Sequence, residues 1–190
     1  LLAAYIGYII HPVLVYSLSV KVFAGMSPLR FFKGILPAAV FAFTSTSSVA
    51  SLPVSKECCD EMGVEKDISS FVLPLGATIN MDGTAIYQCV AAIFLAKCIG
   101  MELGLAQMVT IVVTATLASI GTAGTSGAGM IMLAMVLEAV GIPTTYIGII
   151  YGIDRLFDMG RTALNVVGDA SCAICVNHWE SKAAAKKVAK

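Results

Sequence analysis

Charge is what this chain lacks. Only 13% of its 190 residues are charged, about half the share found in a soluble domain. Across residues 68–153 the charged side chains are Asp82, Lys97, Glu102 and Glu138 alone. A water-facing surface cannot be assembled from so few. With 58% hydrophobic residues and a mean hydropathy of +0.88, the composition is that of an all-α protein embedded in a lipid bilayer.

Other absences narrow the function. Net charge is zero and no basic stretch interleaves with aromatics, so no nucleic-acid partner is expected. Cys58, Cys59, Cys89, Cys98, Cys172 and Cys175 do not make a disulfide framework. Cys172 and Cys175 have CxxC spacing, but no second CxxC or His pair completes a metal set. Inside an apolar helix such thiols read as small hydrophobes. His11 and His178 stand alone. The first apolar run starts at Leu1 without an n-region or cleavage site, which is unlike a signal peptide. The chain reads as part of a longer protein whose N-terminal portion is absent.

What is there is organised around residues 153–170, IDRLFDMGRTALNVVGDA. Asp154, Asp158, Arg161, Thr162, Asn165 and Asp169 fall within about a 100° arc of an α-helix. Ile153, Leu156, Phe157, Met159, Ala163, Leu164, Val166 and Val167 fill the rest. One wet stripe on a greasy helix is the result.

The remaining segments fall into a pattern that occurs twice. Residues 1–24 are an apolar run long enough for one crossing. Residues 31–66 read as a re-entrant hairpin: a short arm at 31–43, a small-residue tip at 44–51, and a second arm at 52–55 running into charged residues. Neither arm has the length to span, and irregular backbone at membrane depth requires surrounding protein or a wet cavity. Residues 67–99 form a transmembrane helix interrupted at 76–84, GATINMDGT, where two glycines bracket Asn80 and Asp82. Residues 103–142 repeat the hairpin with the tip SIGTAGTSGAG at 119–129. Residues 144–177 are the polar-striped helix and 178–190 a Lys-rich tail. Paired interrupted segments in corresponding positions point to a transporter site at the repeat interface. Lys21, Arg30, Lys33, Lys56, Lys66 and the tail lysines share one side if both hairpins return where they entered. The positive-inside bias makes that side, tail included, cytoplasmic, with the cell membrane as location.

Five charged side chains at depth (Asp82, Asp154, Asp158, Arg161 and Asp169) cost roughly 15 kcal/mol in total at about 3 kcal/mol each. They sum to −3, which small cations balance through carboxylates, the Asn80 and Asn165 amides and freed carbonyls; protons are the alternative. Arg161 cannot be discharged, and its planar fork suits a carboxylate. Asp158 suits an ammonium. Together with Thr162 and Asn165 they are equipped to hold both ends of an acidic amino acid, unless Asp158 and Arg161 merely pair with each other.

These motifs, NMDGT (80–84), the Ser-rich first tip, SIGTAGTSGAG (119–129) and DMGRTALNVVGD (158–169), resemble the dicarboxylate/amino acid:cation symporter family of glutamate and aspartate transporter homologues. The resemblance covers nearly the whole chain. It implies the C-terminal portion of that fold: helix six, hairpin 1, helix seven, hairpin 2 and helix eight. It further implies a homotrimer with an elevator-type moving domain and no enzymatic activity. Carried over by motif, the substrate is held by Asp158, Arg161, Thr162, Asn165 and Thr84, with backbone at Ser48, Thr125 and Gly129. One sodium site takes Gly76, Asn80, Asn165 and Asp169. A second takes Thr78 with Ser119, Ile120 and Thr122. A third needs Asn80 and Asp82 plus residues of a third transmembrane helix, outside this chain. Archaeal members carry Arg in the first tip, where Thr46 stands here, and animal members carry a second basic residue near Met159. Arg155 is the candidate substitute.

The expected function is sodium-coupled symport of aspartate or glutamate. Alternatives in the same family are proton coupling and cystine or C4-dicarboxylate cargo. An intramembrane serine protease, from the G-x-S-G match at Gly124–Gly127, and an ion channel are the readings from other classes.

Overall fold

The structure, a computed structural model, describes residues 1–188, and every regular element among them is helical. A first long helical segment at Leu2–Ala24 comprises α1 (Leu2–His11), a π-turn (Pro12–Tyr16) and α2 (Ser17–Ala24). Pro12 has no N–H to continue the ordinary ladder, and the wider turn accommodates it. Hairpin 1 is α3 (Pro28–Ser45) and α4 (Ser48–Glu61). The interrupted helix is α5 (Lys66–Ile79) and α6 (Asp82–Cys98), broken only at Asn80 and Met81. Hairpin 2 is α7 (Leu105–Ser119) and α8 (Ala128–Ala139). A 3-10 turn (Thr144–Ile147) and the short α9 (Gly148–Tyr151) lead to α10 (Asp154–Val188).

Two boundaries differ from the sequence expectation. The second arm of hairpin 1, expected to be a stub at 52–55, is a full helix of 14 residues. Its serines make this possible. Ser47 caps it by accepting from Ala50 N at 3.2 Å, and Ser51 and Ser55 return their hydroxyls to the carbonyls of Ser47 and Ser51, so these two hydroxyls need no water. The striped helix, expected over 144–177, starts only at Asp154 and runs on to Val188, taking most of the supposed tail with it. Gly148 and Gly152 weaken helix before that point, and Asp154 favours the positive end of a new one. Residues 189–190 lie outside the described residues.

Helix α10 is the axis. It packs against α2, α3, α4, α5 and α6, and apart from half-buried Met159 and Ala163 every residue from Phe157 to Ser171 is buried. The outer faces are the reverse: Leu2, Leu14, Phe71, Leu105, Leu117, Ile131 and Met135 are exposed. In water such a surface would aggregate; in hydrocarbon it is solvated. Leu2–Ala24 and the pair Lys66–Cys98 are long and apolar enough to cross a membrane. At 1.5 Å per residue, α4, α7 and α8 reach only about 18–23 Å, short of a hydrocarbon core of about 30 Å.

Candidate functional site

The two hairpin tips meet each other over the first turns of α10. Val49 N donates to Gly124 O at 3.2 Å, and Ser47 Oγ donates to the same carbonyl at 2.9 Å. Thr46 Oγ1 donates to Ser126 Oγ at 3.0 Å. The break in the α5–α6 pair joins them, since Gly121 N donates to Thr78 O at 3.0 Å. Thr46 reaches its place in a left-handed conformation, φ 54°, which costs a β-branched residue energy and which the docked tip sustains.

Beneath the tips, all six stripe residues of α10 are buried, none more than 7% exposed. Asp158 is gripped on both oxygens. Oδ2 accepts from Ser126 Oγ at 3.0 Å and Gly127 N at 2.9 Å; Oδ1 accepts from Arg161 Nε at 3.0 Å and Thr162 Oγ1 at 3.2 Å. Arg161 lies over the Tyr87 ring, 4.7 Å from its centroid, and 3.7 Å from Asp154. Its Nη1 is buried without a hydrogen-bond partner. A Cβ added at Gly129 would sit 2.6 Å from that Nη1, so glycine is what lets α8 close on the guanidinium. Asn165 Oδ1 accepts from Gly83 N at 2.8 Å, and its amide donates to Thr84 Oγ1 at 3.4 Å. Asp158 and Arg161 thus do pair, but the pair leaves most guanidinium donors uncommitted.

Ser48, Thr84, Thr125, Gly129, Asp158, Arg161, Thr162 and Asn165 all line one small cavity of about 10 Å³, the room one water occupies. Asp158 also lines, with Ser126 and Gly127, a cleft of about 550 Å³, open to the outside between α8, α9 and the start of α10. The second tip is the partition between the two spaces.

The residues assigned to cations sit around the helix break. Asn80 Nδ2 donates to Asp169 Oδ1 at 3.0 Å and to Asn165 O at 3.3 Å, and Gly76 lies against the Asp169 carboxylate. Gly76, Asn80, Asn165 and Asp169 are therefore together. Thr78, Ser119 and Thr122 meet where tip 2 docks, and Thr122 Oγ1 is turned to Ala118 O at 2.7 Å. The Ile120 side chain is exposed. Asp82 points elsewhere, toward the first helical segment: Tyr16 donates to its Oδ2 at 2.7 Å, and His11 Nε2 is 3.0 Å from it. Those two partners escaped the sequence reading. Nothing in the residue pattern of that apolar run marks them.

Arg155, the candidate substitute for the absent basic residues, reaches the first tip at Thr46. Its Nη1 donates to Thr46 Oγ1 at 2.5 Å and Ser126 Oγ at 3.0 Å, and its Nη2 to Thr44 O at 3.4 Å, so it ties the two tips. All six cysteines are free.

Comparison with known proteins gives a consistent result. A family model described as sodium:dicarboxylate symporter family matches residues 1–179. The chain is 44% identical to neutral amino acid transporter A of Homo sapiens, over 97% of this chain and 35% of that protein. It is 44% identical to neutral amino acid transporter B(0) of Oryctolagus cuniculus, over 94% of this chain and 33% of that protein. With the putative sodium-dependent excitatory amino acid transporter glt-4 of Caenorhabditis elegans it shares 45% identity, over 87% of this chain and 33% of that one. The chain spans about a third of the length of these relatives.

Proposed function

The chain belongs to the sodium:dicarboxylate symporter family, and from that premise we propose that the complete protein takes up an acidic amino acid, aspartate or glutamate, together with sodium. Family and relatives are transporters, not enzymes, which removes the serine-protease reading. Ser126 accordingly bonds Asp158, Thr46 and Arg155.

The observation that carries the acidic substrate is Arg161. It is buried, fixed at Nε by Asp158, and has a buried Nη1 with no hydrogen-bond partner. A substrate side-chain carboxylate supplies what a planar guanidinium at low dielectric lacks. Asp158 then takes the ammonium once Ser126 and Gly127 release Oδ2, which tip 2 does by swinging toward the wide cleft. A cavity of about 10 Å³ admits no amino acid until it does, so tip 2 is the gate. Sodium is bound by oxygens of Gly76, Asn80, Asn165 and Asp169, and by the Thr78–Thr122 set when tip 2 docks. Both hairpins are re-entrant, the tail is cytoplasmic, and the unit built on α10 moves as the elevator of a homotrimer in the plasma membrane.

A neutral substrate is the second reading, favoured by the names of the two neutral amino acid transporters above. The full-length protein in proteoliposomes decides between them. Sodium-driven uptake of labelled aspartate, suppressed by unlabelled aspartate and glutamate at far lower concentrations than by serine or alanine, is the expected result. Uptake that serine abolishes and aspartate leaves untouched would overturn the acidic reading. Titrating sodium at fixed pH, then pH at fixed sodium, separates sodium from proton coupling.

A further inference from the structure

Asp154 has no task in the scheme above. It does not line the small cavity, yet it is buried, and its Oδ1 has no hydrogen-bond partner while lying 3.7 Å from Arg161 Nη1. Both atoms of that contact are desolvated and neither makes a hydrogen bond of ordinary geometry, the Tyr87 hydroxyl being the neighbouring donor to the Asp154 carboxylate. Such an arrangement is costly unless it has a use. We propose that Asp154 sets the balance between acidic and neutral substrates by acting as an internal counter-ion to Arg161. The inference rests on the reading of Arg161 as the receptor for a substrate carboxylate.

The guanidinium cannot move away from Asp154. Tyr87 lies under its face, Gly129 closes on Nη1, and Asp158 holds Nε. A substrate carboxylate arriving from the cavity must therefore share one positive charge with two resident negatives, Asp154 and Asp158. The substrate ammonium offsets Asp158 but no second cation offsets Asp154, which repels the incoming carboxylate across the guanidinium. With a neutral substrate the same carboxylate is useful. It keeps Arg161 compensated, so that binding does not strand a buried cation. Asp154 thus weakens acidic cargo and makes neutral cargo tolerable. Its removal shifts selectivity toward acids.

The test uses the full-length protein, with sodium-dependent competition by aspartate, glutamate, serine and alanine in the parent and in D154N and D154E. Asp154→Asn keeps the shape and removes the charge. The ratio of neutral to acidic inhibition constants is expected to rise by about tenfold or more, from stronger acid binding and weaker neutral binding. Asp154→Glu restores the charge and is expected to retain the parental ratio. An unchanged ratio in D154N, or an equal loss of both substrate classes in a variant that purifies as a monodisperse protein, would overturn the proposal. So would weaker aspartate binding in D154N. Should D154N not fold, a parental ratio in D154S would have the same force. Failure of the parent itself to bind any acidic substrate would instead strike at the Arg161 reading.

Discussion

Arg161 and the residues that hold it concentrate the chemistry of the molecule. In the complete protein, Arg161→Cys leaves Asp154 and Asp158 buried without their counter-charge and removes the only guanidinium lining the small cavity. Loss of one partner from such a pair costs about 3–5 kcal/mol, and aspartate uptake is expected to fall more than about 100-fold, with neutral amino acids admitted instead. Undiminished aspartate uptake would refute the assignment. Gly129→Ala probes the same group from outside. The new methyl would stand 2.6 Å from Nη1 and must push the guanidinium aside, so KM for aspartate should rise about tenfold while kcat changes less. The stripe behind these predictions was readable because helical periodicity places Asp154 through Asp169 in one arc. Tyr87, Tyr16 and His11 were not readable. Aromatic and lone imidazole side chains in an apolar run have no pattern that separates a lipid-facing ring from one stacked on an arginine or bonded to Asp82.

At the scale of elements, interruptions were easier to see than extents. Glycines around Asn80 and Asp82 marked the break between α5 and α6, and small residues marked both tips. The length of α4 was hidden because serine counts against helix in water, whereas here the hydroxyls bond back to the helix itself. That the tips dock on each other was hidden too, since the contacts join residues about 80 positions apart, as at Thr46 and Ser126. Arg155 fastens that junction from its exposed edge. Truncation to alanine removes three hydrogen bonds spanning both tips, and a charge-assisted bond contributes about 1.5–3 kcal/mol. Faster amide exchange is therefore expected at Val49 and Gly121 in R155A, whose N–H groups donate across the junction, with exchange inside α10 unchanged. R155K, which keeps the charge but loses the fork, should fall between. Equal protection in parent and R155A would show that the tips hold without the guanidinium.

For the molecule as a whole, the question is what links the cation residues to the gate. Asp169 on α10, Asn80 at the break and Gly76 on α5 form one cluster, and Thr78, two residues from Asn80, carries the carbonyl on which Gly121 of tip 2 docks. On the function proposed above, a cation held between Asp169 and the break would brace the backbone that receives the gate, and sodium and closure would stabilise each other. Reciprocity follows: whatever sodium adds to gate closure, closure adds to sodium affinity. A ligand that binds only the folded state raises stability by RT ln(1 + [L]/Kd), about 2.7 kcal/mol at 100 times its dissociation constant. The full-length protein should thus melt at progressively higher temperature as sodium replaces choline at constant ionic strength. Aspartate should add to the shift only when sodium is present. Asp169→Asn keeps the Asn80 contact geometrically possible but removes the charge that balances a cation, and it is expected to flatten the sodium dependence while leaving the melting temperature in choline near that of the parent. A sodium-dependent shift that survives D169N undiminished would place the cation elsewhere and detach the gate from this cluster.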